Sequence, residues 1–134
     1  MDDGLEVSCV DTKDAPPPFG DAYCQAVAAG GFVFVSGQGG FLANGTLVPG
    51  GAAAEARQAL LNIKTILAAA RVPMSAVVRT TIYYSDLRDA PAVNEVYKEV
   101  FADKVKPARM VYQVASPPVA GTRVWIDAQA VTRR

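Results

Sequence analysis

The sequence predicts an α/β two-layer sandwich, one sheet in the order β-β-β-α-β-α-β-β with two helices on one face. Three observations predict it. Residues 52–70 and 89–101 each carry an apolar stripe at helical spacing on one side only, as helices laid on a sheet do. Six short runs rich in β-branched, aromatic and apolar residues surround them, divided by Gly, Pro and Asn turns. The last run alternates Val124, Ile126, Ala128 and Ala130 with Trp125, Asp127, Gln129 and Val131, and the first set suits a helix-covered face. A chain of 134 residues reads as a single domain, 1–134. That length buries about two-thirds of its unfolded surface and needs no staple.

Taken in order, residues 6–10 are the first strand. Residues 11–20 form a loop holding Pro16-Pro17-Pro18. Residues 23–29 are the second strand, and Gly30-Gly31 supplies a two-residue hairpin turn into the third, 32–35. That strand ends at Ser36-Gly37-Gln38-Gly39-Gly40. No Lys-Ser/Thr follows, so a P-loop is excluded, and a bend needing positive φ explains the glycines. Asn44-Gly45 marks another turn. In the first helix Ala56, Ala59, Leu60, Ile63, Ile66, Leu67 and Ala70 share the inner stripe, with Glu55, Gln58, Asn62 and Lys64 mostly on the other side. Pro73 follows its end. Residues 77–84 are the fourth strand. Asp89 N-caps the second helix, Pro91 is tolerated in its first turn, and Val93, Val96, Tyr97 and Val100 point inward.

The fifth strand lies in Lys106-Pro107-Ala108-Arg109-Met110-Val111-Tyr112-Gln113-Val114. Pro107 stops the preceding helix. Alternation puts Met110, Tyr112 and Val114 on one face and Arg109, Val111 and Gln113 on the other. On residue type alone Arg109 is either a frayed strand end reaching into water or an anion anchor whose planar fork grips a carboxylate. Val111 and Gln113 are assigned to the Trp125 face. Two layers alone would leave Trp125 exposed, and other subunits are the simplest cover, so an oligomer is expected.

Composition narrows the function. Thirteen basic residues balance thirteen acidic ones, which counts against a polyanion partner, although Lys104, Lys106 and Arg109 lie close together and Arg133-Arg134 end the chain. There is no histidine, so His triads, His general bases and His metal sites are excluded. Cys9 and Cys24 are too few for a zinc site. They pair in principle, but a reducing compartment is the expectation. No apolar run reaches the length of a membrane span, and residues 1–6 are acidic, unlike a signal or transit peptide. A cytoplasmic protein with no cofactor and no metal is expected.

Six segments together resemble the Rid (YjgF-like) family: Tyr23-Cys24-Gln25-Ala26-Val27, Val35-Ser36-Gly37-Gln38, Arg57-Gln58-Ala59-Leu60, Val78-Arg79-Thr80-Thr81, Val93-Asn94-Glu95-Val96-Tyr97 and Pro107-Ala108-Arg109. The resemblance runs from about Thr12 to Val131. It implies a chorismate-mutase-like fold, a homotrimer with clefts between subunits, and hydrolysis of reactive enamines and imines such as 2-aminoacrylate to 2-keto acids and ammonia. It implies that Arg109 holds the substrate carboxylate. Tyr23 and Ser36 would act beside it as catalytic groups, and Gly37, Asn94 and Trp125 would line the cleft. Three departures stand out. Gly20-Asp21-Ala22 replaces the usual Gly-Pro before the tyrosine, and Val111 replaces a common cysteine. Trp125 stands where the deaminase subgroup has its water-positioning glutamate, and Asp127, two positions on, is either a substitute acid or a structural polar residue at an interface. Two alternatives follow: a small-carboxylate binding or regulatory module without deaminase activity, and an endoribonuclease.

Overall fold

The computed structural model describes residues 4–102 and 105–132. Of the basic clusters, Lys104, Arg133 and Arg134 therefore lie outside the described residues. Six strands form one sheet: β1 (Val7–Val10), β2 (Ala26–Ala29), β3 (Phe32–Gln38), β4 (Val77–Tyr84), β5 (Ala108–Gln113) and β6 (Val124–Val131). Two helices, α1 (Ala52–Ala69) and α2 (Ala90–Val100), complete the predicted order. The spatial order is β1-β2-β3-β6-β4-β5. Neighbours are antiparallel except β4 and β5, which α2 connects as a parallel crossover. The hairpin between β2 and β3 turns at Gly30 (φ 59) and Gly31 (φ 85), where a side chain would be strained.

The core lies between the helices and one sheet face. Val33 and Val35 of β3, Ile82 and Tyr84 of β4 and Val124, Ile126, Ala128 and Ala130 of β6 are buried against α1 and α2. The stripe expected on α1 is buried, and so are Val93, Val96 and Tyr97 of α2. Among the described residues, no helix is long and apolar enough to cross a membrane.

Several expectations need correction. The face assignment of β5 is inverted relative to β6. Arg109 pairs with Thr80 and Val111 with Ile82, so both lie on the helix side, and Val111 packs against the core. Met110 and Tyr112 are the residues that share the Trp125 face. Alternation within a strand is readable from sequence, but the register between strands, which sets the face, is not. Trp125 is not left exposed. It is 7% exposed, covered by Phe19 and Phe41 at ring-centroid distances of 6.4 and 5.9 Å. The outer face is apolar nonetheless, through the half-exposed Phe32, Phe34, Met110 and Tyr112.

Glu55 and Asn62 are buried rather than solvent-facing. Asn62 Nδ2 donates to the Phe41 carbonyl (2.8 Å), and Glu55 Oε1 accepts from the Arg123 amide (2.8 Å), so α1 holds two loops. Asp89 stands at the start of α2, but its carboxylate takes the Arg123 guanidinium (3.0 Å) instead of capping. Gly37, Gly39 and Gly40 do not have positive φ. Space explains the last two: a Cβ on Gly40 would lie 2.6 Å from the Glu55 Cα, and one on Gly39 would lie 3.1 Å from the Trp125 ring. Finally, Cys9 and Cys24 form a disulfide across Cα atoms 5.6 Å apart, because β1 pairs with β2 just beyond Cys24. A reducing, cytoplasmic setting was expected from unpaired thiols, and the pairing removes that support.

Candidate active site

A cleft of about 760 Å³ opens at the end of the sheet where β3, β4 and β6 meet the loop after β5. Tyr23, Ser36, Gly37 and Trp125 all line it. Four of the predicted site residues, from three distant parts of the chain, are thus brought together.

A bulge positions Ser36 and Gly37. Val35 pairs with Ala128 but Gln38 pairs with Ile126, so two residues of β3 stand against one of β6. Such bulges interrupt the ladder and re-aim side chains. The Ser36 amide donates to the Gln25 carbonyl (2.9 Å), and its Oγ donates to the Cys24 carbonyl (2.7 Å). The hydroxyl proton is committed, so toward the cleft Ser36 is an acceptor. Tyr23 Oη accepts from the Phe19 amide (3.0 Å), which leaves the phenol proton to donate. The phenol is 42% exposed and is not a core tyrosine. Trp125 Nε1 donates to Thr122 Oγ1 (2.8 Å), so the indole offers its ring, not its N–H, to the cleft.

Arg109 and Asn94 lie elsewhere in the chain, on the helix side of the edge strand β5. Arg109 Nη1 donates to Asn94 Oδ1 (2.9 Å), and the guanidinium carbon sits 4.9 Å from the Tyr97 ring centroid. Tyr97 in turn shares a 2.7 Å hydrogen bond with Thr80. Burial pushes the Tyr97 phenol up, opposed by the Thr80 bond and the Arg109 charge, so it stays neutral beneath the cation. Arg109 is not frayed, and among the described residues it is not tied into a carboxylate pair. It is a partly braced, exposed fork.

Asp127 does not line the cleft. It accepts from Tyr83 Oη (3.2 Å) and borders a separate hollow of about 240 Å³ with Arg79 and Thr81. Burial first, then the Asp127 charge, raises the Tyr83 phenol, so it remains a donor to that carboxylate.

Sequence reasoning missed Gln25, Phe19 and Tyr83. Gln25 is 2% exposed. Its amide donates to the Thr12 and Pro16 carbonyls (3.1 and 2.9 Å) and accepts from the Thr12 amide (2.8 Å). It thereby ties down the proline loop that carries Phe19 over Trp125. A loop-holding glutamine has no periodic signature. The triproline before Phe19 was a usable signal for a rigid cover.

The family model described as Endoribonuclease L-PSP matches residues 12–132. A rat 2-iminobutanoate/2-iminopropanoate deaminase is 46% identical over 123 residues, 91% of this chain and 88% of the rat protein. Among solved structures, yeast Mmf1 aligns with a TM-score of 0.90 at 32% identity, covering 96% of this chain and 100% of the yeast one. Escherichia coli TdcF with bound serine aligns at 0.87 and 33% identity, covering 95% of this chain and 99% of that one.

Proposed function

Because the chain belongs to the Rid (YjgF-like) family, the one described as Endoribonuclease L-PSP, we propose that it hydrolyses reactive 2-imino acids and their enamine tautomers to 2-keto acids and ammonia. The deaminase name of its relatives and the small amino acid bound by TdcF both support a carboxylate-bearing substrate of this kind.

The observation that carries the reading is the state of Arg109. One guanidinium N–H is fixed on Asn94, Tyr97 supports the plane, and the remaining fork faces outward. A planar donor prepared in this way fits a carboxylate better than a point charge does. Arg109 and Asn94 are separated from the Tyr23–Ser36–Gly37–Trp125 cleft within one chain. In a homotrimer, the edge strand of one subunit would bring them to the cleft of the next. The apolar outer face of Phe32, Phe34, Met110 and Tyr112 supports such an assembly. Light scattering should then give three times the 14.1 kDa chain mass.

An iminium carbon is already electrophilic, so placement and charge stabilisation suffice without a histidine. Arg109 anchors the carboxylate. Ser36 Oγ accepts from the iminium N–H or from the attacking water, and Tyr23 donates its phenol proton across the cleft. Main-chain carbonyls hold the water in place of the carboxylate that Trp125 replaces. Water adds to the C=N carbon to give a carbinolamine. Its C–N bond then breaks, ammonia leaves, and the 2-keto acid remains.

The test is Arg109→Lys, which keeps the charge and loses the fork. Each charge-assisted bond is worth roughly 1.5–3 kcal/mol, so kcat/KM for 2-aminoacrylate should fall by at least ~10-fold. Melting should be unchanged, since the side chain is exposed. Equal activity in the two proteins would remove the anchor role, and a collapsed melt would make Arg109 structural.

A further inference from the structure

We propose that the cleft is a side-chain pocket that selects 2-imino acids bearing a bulky apolar group, of the branched-chain or aromatic amino-acid type, over the three-carbon imine. This rests on the imine-hydrolase reading above and names its substrate class. In the single chain the cleft measures about 760 Å³, a space the substrate would share with the edge strand of the neighbouring subunit, so its lining rather than its size carries the argument. Its polar side chains are largely spoken for. The Trp125 N–H is used by Thr122, the Tyr83 hydroxyl by Asp127 and the Ser36 proton by Cys24. The Val114 amide donates to the Tyr84 carbonyl (2.9 Å). Tyr23, Ser36 and Ser116 keep polar groups at the cleft, and the rest of its lining is apolar wall: Phe19, Val114, Pro118, Val119 and the rings of Tyr83 and Trp125. Phe19 is 48% exposed although its ring packs on Trp125 and Phe41, so a ligand can still cover it.

A substrate methyl would leave most of that wall wet. An isobutyl or benzyl group would remove it from water, and each methylene so buried is worth about 0.8 kcal/mol, a factor of about four in kcat/KM. Within that wall the Tyr83 and Trp125 rings are locked at their polar ends, so this part is preorganised and does not have to close on the substrate. Ser36 and Gly37 at the bulge lie in the same cleft, which places the reacting C=N beside the apolar wall.

The experiment generates imines in situ with an L-amino-acid oxidase from alanine, leucine and phenylalanine, and follows their hydrolysis in competition with semicarbazide trapping. Wild-type protein should show kcat/KM at least ~10-fold higher for the leucine or phenylalanine imine than for the alanine imine. Phe19→Ala, with its melt checked alongside because Phe19 also covers Trp125, should shrink that ratio at least threefold. Accelerated hydrolysis of all three with equal rates, or with alanine favoured, overturns this inference and leaves imine hydrolysis standing. A preference untouched by Phe19→Ala overturns it as well. No acceleration of any imine overturns the hydrolase reading itself.

Discussion

Opening the Cys9–Cys24 bridge is expected to weaken both the fold and the cleft. The two cysteines are separated by 15 positions. In the chain-entropy view, closing a loop of that length removes denatured-state freedom equivalent to about 3 kcal/mol at 25 °C. A domain of this size loses a few degrees of melting temperature per kcal/mol, so reduction should lower Tm by on the order of 10 °C. The local consequence reaches the site. The Cys24 carbonyl holds the Ser36 hydroxyl at 2.7 Å, and Tyr23 is its chain neighbour. Edge strand β1 is paired with β2 alone, so without the bridge the Cys24 segment is held to the preceding loop by the Gln25 side chain, through Thr12 and Pro16. The assay compares melts of oxidised protein, reduced protein and Cys9→Ser at one fixed concentration, with mass spectrometry of alkylated thiols to confirm the redox state. Imine hydrolysis is followed in parallel. A reduced chain that melts within about 2 °C of the oxidised one would refute the loop-entropy reasoning. Unchanged activity would refute the coupling to Ser36.

Gly40→Ala should destabilise by about 1–3 kcal/mol in urea titration, because the new Cβ meets the α1 backbone at Glu55 and only main chain can yield. Tyr84→Phe should leave stability unchanged or raise it by up to about 1 kcal/mol, since the Tyr84 hydroxyl is buried without a hydrogen-bond partner among the described residues. Burial raises the Tyr84 and Tyr97 phenols above the usual 10.0. A raised folded pKa contributes stability that is intact below pH 10 and is lost as pH climbs through the folded value. Melts should therefore fall steeply above pH 10, and Tyr84→Phe should flatten that decline; an unaltered slope would assign the alkaline loss to other groups.

The fold was legible because its signals are periodic. The α1 stripe and the Val124–Ala130 alternation each repeat often enough to fix which side is buried. Register was not legible, and that is where the reading of β5 failed: Val111 and Gln113 moved to the helix side with Arg109, while Tyr112 took their place beside Tyr83. The burial of Trp125 was missed for a related reason. Its cover comes from Phe19 and Phe41, in loops whose paths are set by single buried amides, Gln25 and Asn62, that no pattern marks. The candidate site was partly legible through the family resemblance. Tyr23, Ser36, Gly37 and Trp125 share one cleft, whereas Arg109 and Asn94 lie apart from it on the helix side of β5. The bulge at Ser36-Gly37 has no sequence signature beyond the glycine itself, and the Asp127 carboxylate is engaged by Tyr83 instead of facing the cleft.

β6 stands between β3 and β4 in the sheet, although it is the last strand to be made. Until residue 131 has left the ribosome, β3 and β4 have no strand between them, and the packing of α1 on β3 and α2 is what links the two halves. The contacts that close the centre link residues 88–99 positions apart across β3 and β6 and 40–53 apart across β4 and β6, a non-local topology that folds slowly. A nascent chain would spend that interval with the apolar edges of β3 and β4 unpaired and the α1 stripe partly uncovered. Cellular yield should accordingly depend on chaperone supply and translation rate more than the small size of the domain suggests.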